Sequence, residues 1–379
     1  MLIRPTTSRR PSSPSLSLLP IGLIVCLLLR TVDASYGDRL PEFRECIEVC
    51  NRENCDPNND PTPIRKRRSL PFLSLFLSSH QPRTEPTPAP SCLTPLDTDL
   101  CALAALHHRL LLWTCAQECD YTCQHIVTAR RVEAGQAVTQ FHGKWPFVRV
   151  LGVQEPFSVL FSAGNFAAHR SGLARLRERV PPGHPLRWYC ELFAYFGMAT
   201  WVFSTVFHTR DFAATEQLDY FGAGASVLYA LYFALVRVAR LDLPSSPRRR
   251  SLLRLWTVFC CALYAAHVAY LKLWKWDYAY NMKANLVVGM VHNLLWTYFS
   301  WKRWRETRQG WAIWPSLLVV WIMLAMSLEL LDFPPLWGVL DAHSLWHLGT
   351  IGPAILWYDF MVKDSLDLAK TVKLKESTA

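Results

Sequence analysis

After about residue 150 the sequence falls into seven long apolar blocks separated by short polar segments, and this pattern limits the fold more than any other feature. The blocks lie near 154–171, 188–208, 216–236, 252–273, 284–301, 311–331 and 343–362. Each approaches the roughly 20 residues that an α-helix needs to cross the hydrocarbon core of a bilayer. The first block is rich in Ser, Ala and Gly and is interrupted by Asn165; small residues of this kind are what helix–helix contacts in lipid favour. Mean hydropathy is only +0.10, because a polar N-terminal third dilutes the blocks. The expected fold is an all-α membrane protein, with a seven-transmembrane helix bundle at 151–363 and a cytosolic tail at 364–379.

The N-terminal third reads as a secreted module. Arg4, Arg9 and Arg10 precede an apolar run from about Leu16 to Leu29, and Val32-Asp33-Ala34 then supplies small residues for cleavage. Residues 1–34 are therefore expected to be a secretory signal peptide, the alternative being an uncleaved signal anchor. Eight cysteines follow before the first block: Cys46, Cys50, Cys55, Cys92, Cys101, Cys115, Cys119 and Cys123. In an oxidising lumen an even set reads as a disulfide framework whose connectivity the sequence leaves open. A zinc reading of Cys115, Cys119 and Cys123 competes, but a four-residue spacing suits a helix better than a zinc knuckle. Cys190, Cys260 and Cys261 lie in the apolar blocks and are expected to be inert packing residues. The module at 35–150 is interrupted at 56–91 by a Pro- and Ser/Thr-rich stretch without helical period, which reads as a disordered insertion. Its run Arg65-Lys66-Arg67-Arg68 is a solvated basic patch or, alternatively, a convertase site. No Asn-x-Ser/Thr sequon occurs.

The formal charge of +10 does not point to nucleic acid, since the basic residues concentrate in the segments between blocks. They fall in alternate segments: Arg170, Arg175, Arg177, Arg179 and Arg187; then Arg237, Arg240, Arg248, Arg249, Arg250 and Arg254; then Lys302, Arg303, Arg305 and Arg308; and finally Lys363, Lys370, Lys373 and Lys375. The positive-inside rule puts all four groups on the cytosolic side. The other side carries more acids, Asp211, Glu216, Asp277, Asp332 and Asp341, and receives the cysteine module.

On that luminal side five polar residues gather at one membrane depth. Ser204 and His208 are four apart at the end of the second block, Asp219 opens the third, and His343 and His347 are four apart at the start of the seventh. Residues four apart share a helical face. Three neutral imidazoles suit a catalytic Zn2+, which leaves a fourth position for water and lowers the pKa of that water to about 7. Asp219 is placed to serve as general base, and Ser204 to hydrogen-bond the water or a developing oxyanion. Taken singly, each has a plainer reading: an interfacial His, a chance HxxxH, a backbone-bonded Ser. Around them, His142 and Lys144 are expected to line the entrance, Glu155 to brace the site, and Glu329 and Asp332 to support it. His267 and His292 lack partners at matching spacing, and Trp274, Trp276, Trp314, Trp337 and Trp346 read as an interfacial aromatic belt.

The strings FHGKWPF, QEP, FSTVFHTRDF, LDYFGA, WDYAYN and LELLDFPPLWGVLDAHSLWH, with the preceding cysteines, resemble the post-GPI attachment to proteins factor 3 family. That family belongs to a wider superfamily of seven-helix hydrolases that includes the alkaline ceramidases. Its SxxxH, Asp and HxxxH residues match Ser204, His208, Asp219, His343 and His347, and the likeness spans nearly the whole mature chain. The resemblance implies removal of the unsaturated sn-2 fatty acid from GPI-anchored proteins, mainly in the Golgi membrane, so that a saturated chain can be added. The insertion between Cys55 and Cys92 departs from the family pattern. Two other functions stay open: a ceramidase-like amide hydrolase, and a non-catalytic seven-helix receptor or cargo adaptor for GPI-anchored proteins. The endoplasmic reticulum membrane is the alternative compartment, though the tail lacks a terminal dilysine signal.

Overall fold

The computed structural model describes residues 35–55, 109–243 and 246–377. The expected signal peptide, the 56–91 insertion, Cys92 and Cys101 lie outside the described residues.

The N-terminal module is built on two helices, α1 (Pro41–Asn54) and α2 (Cys115–Glu133). Cysteines every four or five residues put one sulfur per turn on the facing sides, and three disulfides close between them: Cys46–Cys123, Cys50–Cys119 and Cys55–Cys115. The pairing order makes the helices antiparallel. Cys55, Cys115 and Cys119 also cluster as if to hold a metal, but their sulfurs are already spent in disulfide bonds. Phe43, Val127, Cys123 and Phe141 form a small core beneath the ladder, with the Phe43 and Phe141 rings 4.6 Å apart. Thr114 and Gln117 close a capping box at the start of α2.

Phe141 opens a two-residue turn. Phe141 and Lys144 exchange both backbone hydrogen bonds (2.7 and 2.9 Å), and His142 and Gly143 take φ of 51° and 78°. Positive φ at both central residues is the type I′ geometry that glycine favours. The turn aims Lys144 at the larger helical body.

That body contains α3 (Pro156–Arg179), α4 (Arg187–Thr209), α5 (Ala213–Val238), α6 (Pro247–Ala269, prolonged by a π-helical turn to Trp274), α7 (Tyr278–Thr307), α8 (Trp314–Leu331) and α9 (Ala342–Ser377). The helices match the seven apolar blocks, with longer ends; α9 continues to Ser377, past residue 363. Among the described residues there are isolated β-bridges and no strands. α3 packs between α4 and α9, closely enough that a Cβ on Gly172 would sit 2.1 Å from the Tyr358 ring. Trp296, Tyr358 and Phe360 fill the centre of the body.

Four helical stretches are long and apolar enough to cross a membrane: Arg187–Thr209, Ala213–Val238, Pro247–Trp274 and Gly310–Leu331. The chain is a membrane protein. α3, α7 and α9 fall outside that group because they carry polar residues along their length: Ser158, Ser162, Asn165 and His169; Asn281, His292 and Asn293; His343 and His347. On α3 and α9 most of these are buried. Cys190 and Cys260 are buried as expected, whereas Cys261 is exposed on the apolar flank of α6.

At the far end of the body from His208, Arg237 of α5 makes a two-pronged ion pair with Asp364 of α9, Nε to Oδ2 at 2.5 Å and Nη2 to Oδ1 at 2.6 Å. Both side chains are buried, the geometry in which a charge pair is worth keeping.

Candidate metal centre

Two helix ends, the close of α4 and the start of α9, bring the histidines together. α4 terminates at Thr209, and the backbone N–H groups of Gln154 and Glu155 donate to the carbonyls of Thr209 (3.1 Å) and His208 (3.0 Å). These bonds satisfy carbonyls that a helix end otherwise leaves open. α9 begins with a reciprocal cap: Ser344 N–H donates to Asp341 Oδ1 (2.9 Å) and Asp341 N–H donates to Ser344 Oγ (3.0 Å). The cap fixes His343 and His347 on the first turns, facing α4.

His208 and His347 are buried, while His343 keeps about a third of its side chain exposed (31%), so the cluster opens on that side. His208, His343 and His347 each offer a ring nitrogen within 4.8 Å of the others. His208 Nε2 and His343 Nε2 stand 3.3 Å apart. On the far side of each ring, Nδ1 of His208 donates to Glu155 Oε2 (2.7 Å) and Nδ1 of His343 donates to Glu329 Oε2 (2.7 Å). A carboxylate accepts only, so both Nδ1 atoms carry the proton, and in the neutral rings both Nε2 atoms present lone pairs. His347 Nδ1 lies 3.0 Å from Ser162 Oγ and 3.4 Å from the Ser158 carbonyl. The carbonyl also only accepts, which protonates Nδ1 and leaves a third bare Nε2.

At 3.3 Å the two Nε2 atoms either share a proton or, with both rings neutral, hold a metal cation between their lone pairs. Two imidazole nitrogens on one tetrahedral zinc, each at about 2.0–2.1 Å, stand roughly 3.3 Å apart. The donor set therefore fits zinc, and histidines braced by carboxylates are what metal sites of this type use.

Glu155 is tied in turn to the N-terminal module. Lys144 Nζ donates to Glu155 Oε1 (2.7 Å), lies 2.9 Å from Asp211 Oδ2 and sits 4.1 Å from the centre of the Phe207 ring. Burial alone would lower the Lys144 pKa, yet the Glu155 and Asp211 carboxylates outweigh it and raise it. His142, expected beside Lys144 at the entrance, points away: its Nε2 is 2.8 Å from Asp120 Oδ1. Asp332 supports from elsewhere, accepting from Gln140 Nε2 and Trp145 Nε1, each at 2.9 Å.

Asp219 stands in the second turn of α5 rather than opening it, within electrostatic range of His208, His343 and Lys144. No described residue donates a hydrogen bond to its carboxylate. Ser204 is buried, its Oγ 3.0 Å from Ser162 Oγ. Trp346 packs on His343 and His347 (5.4 and 5.0 Å between centroids), and Trp276 stacks on Tyr220. Trp274 and Trp337 are exposed.

Sequence reasoning missed Ser158, Ser162 and Asn165, which recur at helical spacing along the buried face of α3; Asn165 Nδ2 donates to the His347 carbonyl at 2.7 Å. That polar stripe was the available signal, and Asn165 reads as an interruption only when taken alone. His267 and His292 lie apart from the cluster, beside Tyr280 and Asn293.

Fold and site together define a helical membrane protein with a three-histidine group, buried except at His343, that could hold a metal ion. Residues 105–365 match the Per1-like family, and the chain belongs to that family. It is 39% identical to Protein PER1 homolog of Schizosaccharomyces pombe (92% of this chain, 93% of the relative). It is 37% identical to GPI-specific phospholipase A2-like PGAP3 of Xenopus laevis (92% and 95%) and 36% identical to the Homo sapiens protein of the same name (89% and 91%). No solved structure matches the chain.

Proposed function

We propose that this protein is a GPI-anchor remodelling hydrolase, which removes the sn-2 fatty acid from GPI-anchored proteins by zinc-dependent ester hydrolysis. The observation that carries the reading is the convergence of three imidazole nitrogens within 4.8 Å of one another, in a family whose relatives are named GPI-specific phospholipase A2-like.

His208, His343 and His347 would hold the metal, and Glu155 and Glu329 fix the direction of two of the rings. Zinc bound there supplies a polarised ester carbonyl and a water of lowered pKa. The substrate reaches the site from the open side at His343. Asp219, free of hydrogen-bond partners among the described residues, takes the proton from the attacking water onto its carboxylate. It then returns that proton to the departing glycerol oxygen. The acyl group leaves as a free fatty acid, and the anchor keeps its lysolipid.

In the arrangement proposed, all seven helices span the bilayer and residues 1–34 are removed as a signal. The 35–150 module is luminal, and the basic helix ends, with the 364–379 tail, face the cytosol. The polar faces of α3 and α9 are turned inward, which lets helices of modest hydropathy sit in lipid. The compartment proposed is the Golgi membrane.

The test is mass analysis of GPI lipids from cells lacking this protein, rescued with wild type or with Asp219→Asn. Wild type should restore loss of the sn-2 unsaturated chain and Asp219→Asn should not, with a deficit on the order of 10²-fold. Normal remodelling by Asp219→Asn would contradict the reading.

A further inference from the structure

Ser162 sits where two parts of the site meet. It is fully buried, and its single hydroxyl touches Ser204 Oγ at 3.0 Å and His347 Nδ1 at 3.0 Å. The directions of these bonds follow from the chemistry of each atom. With Nε2 given to the metal, His347 Nδ1 carries the ring proton, which agrees with the accept-only Ser158 carbonyl 3.4 Å away. That proton goes to Ser162 Oγ, the nearer acceptor. Having accepted there, the Ser162 hydroxyl donates its own proton to Ser204 Oγ. The Ser204 hydroxyl then accepts, and its own proton is left as a donor of defined direction. One residue of α3 thus sets the ring of an α9 histidine and the hydroxyl of an α4 serine at once. The rest of the α3 stripe reinforces this, since Asn165 Nδ2 donates to the His347 carbonyl at 2.7 Å and Asn165 Oδ1 accepts from Thr350 Oγ1 at 3.1 Å.

We infer that Ser162 is a positioning residue of the metal centre: it orients His347 towards the metal and holds Ser204 as a hydrogen-bond donor. His208 and His343 each have a carboxylate behind Nδ1; for His347, the buried member of the α9 pair, Ser162 takes that place. A hydroxyl in the membrane interior does this without introducing a third buried charge. The inference rests on the three-histidine metal reading.

The experiment uses the full chain purified in detergent and loaded with zinc, as wild type, Ser162→Ala, Ser204→Ala and the double variant. Zinc retention is read by competition with a chelator, and fatty-acid release from a GPI lipid by mass spectrometry. Loss of an outer hydrogen-bond partner typically costs about 10–100-fold in metal affinity. Ser162→Ala should lose zinc by a factor in that range while its metal-free form unfolds as wild type does. Ser204→Ala, which leaves the His347–Ser162 bond intact, should hold zinc more tightly than Ser162→Ala. In fatty-acid release the double variant should be no slower than Ser162→Ala alone, because two members of one chain do not act independently. Wild-type zinc retention in Ser162→Ala would overturn the inference while leaving the metal reading intact. So would a multiplicative loss in the double variant, or a Ser162→Ala chain that does not fold. Wild type that binds no zinc would remove the metal reading itself, and the inference with it.

Discussion

His208 and His343 present their Nε2 atoms to each other at 3.3 Å from helices whose residues are 135 positions apart in the chain. Each ring is turned that way by a glutamate behind it, Glu155 for His208 and Glu329 for His343. The arrangement explains why two buried or half-buried acids occur where an apolar residue would cost less.

Glu329 is the simpler of the two acids to test, because His343 is its only hydrogen-bond partner among the described residues. Glu329→Ala should weaken zinc binding roughly 10–100-fold. Glu329→Gln keeps an acceptor for Nδ1 and should lose less. Chelator competition on the purified variants distinguishes them, and equal, wild-type retention in both would remove Glu329 from the centre.

Lys144 carries the N-terminal module into the site through Glu155 and Asp211. Lys144→Met would strand two carboxylates, one of them buried. Removing one partner of a buried pair costs about 3–5 kcal/mol, and less here because Lys144 retains 24% side-chain exposure. Thermal unfolding should fall, and zinc should be lost more readily as Glu155 is freed. Lys144→Arg keeps the charge and should fall between the two.

At the opposite end, Arg237 and Asp364 are a structural pair with no link to the chemistry. Arg237→Met alone should destabilise by roughly 3–5 kcal/mol. Arg237→Met combined with Asp364→Leu should recover most of that loss. A double variant as unstable as the two losses summed would mean that the pair is not coupled.

His142 gives the N-terminal module a pH dependence of definite sign. Its hydrogen bond to Asp120, opposed by partial burial and aided by the Asp38 charge, raises its pKa above 6.5. A raised folded pKa means that the stabilisation is complete below about pH 6.5 and is lost as pH climbs through the folded value. Unfolding of the module, followed by proteolysis at Cys-free sites, should therefore accelerate above pH 6.5 in wild type. The dependence should be absent in His142→Asn. Because the ring is largely exposed, high salt should flatten it.

Much of this was readable in the sequence because it was written in repeated spacing. The seven apolar blocks announce α3 to α9, and i, i+4 pairs place Ser204 with His208 and His343 with His347. The α3 block is weakly apolar for a physical reason: its buried face includes Ser158, Ser162, Asn165 and His169, so its hydropathy is low where it packs most closely. Lys144 and Glu155 stood out as site-side residues, but their pairing with each other and with Asp211 depends on the I′ turn and on how it docks. Glu329 reads as a supporting residue, but spacing alone does not show that the ring it supports is His343. The disulfide connectivity was open among eight cysteines, and the helical spacing of two runs of three becomes decisive only once α1 and α2 are seen to run antiparallel.

The most direct test of the account joins metal to chemistry in one preparation. The purified full chain is assayed for zinc by elemental analysis and for fatty-acid release from a diacyl GPI lipid, before and after chelation and after zinc is restored. The account predicts about one zinc per chain, release of the sn-2 acid, loss of both with chelator or in His347→Ala, and recovery on adding zinc. Undiminished release from a metal-free chain, or from His347→Ala, would contradict it.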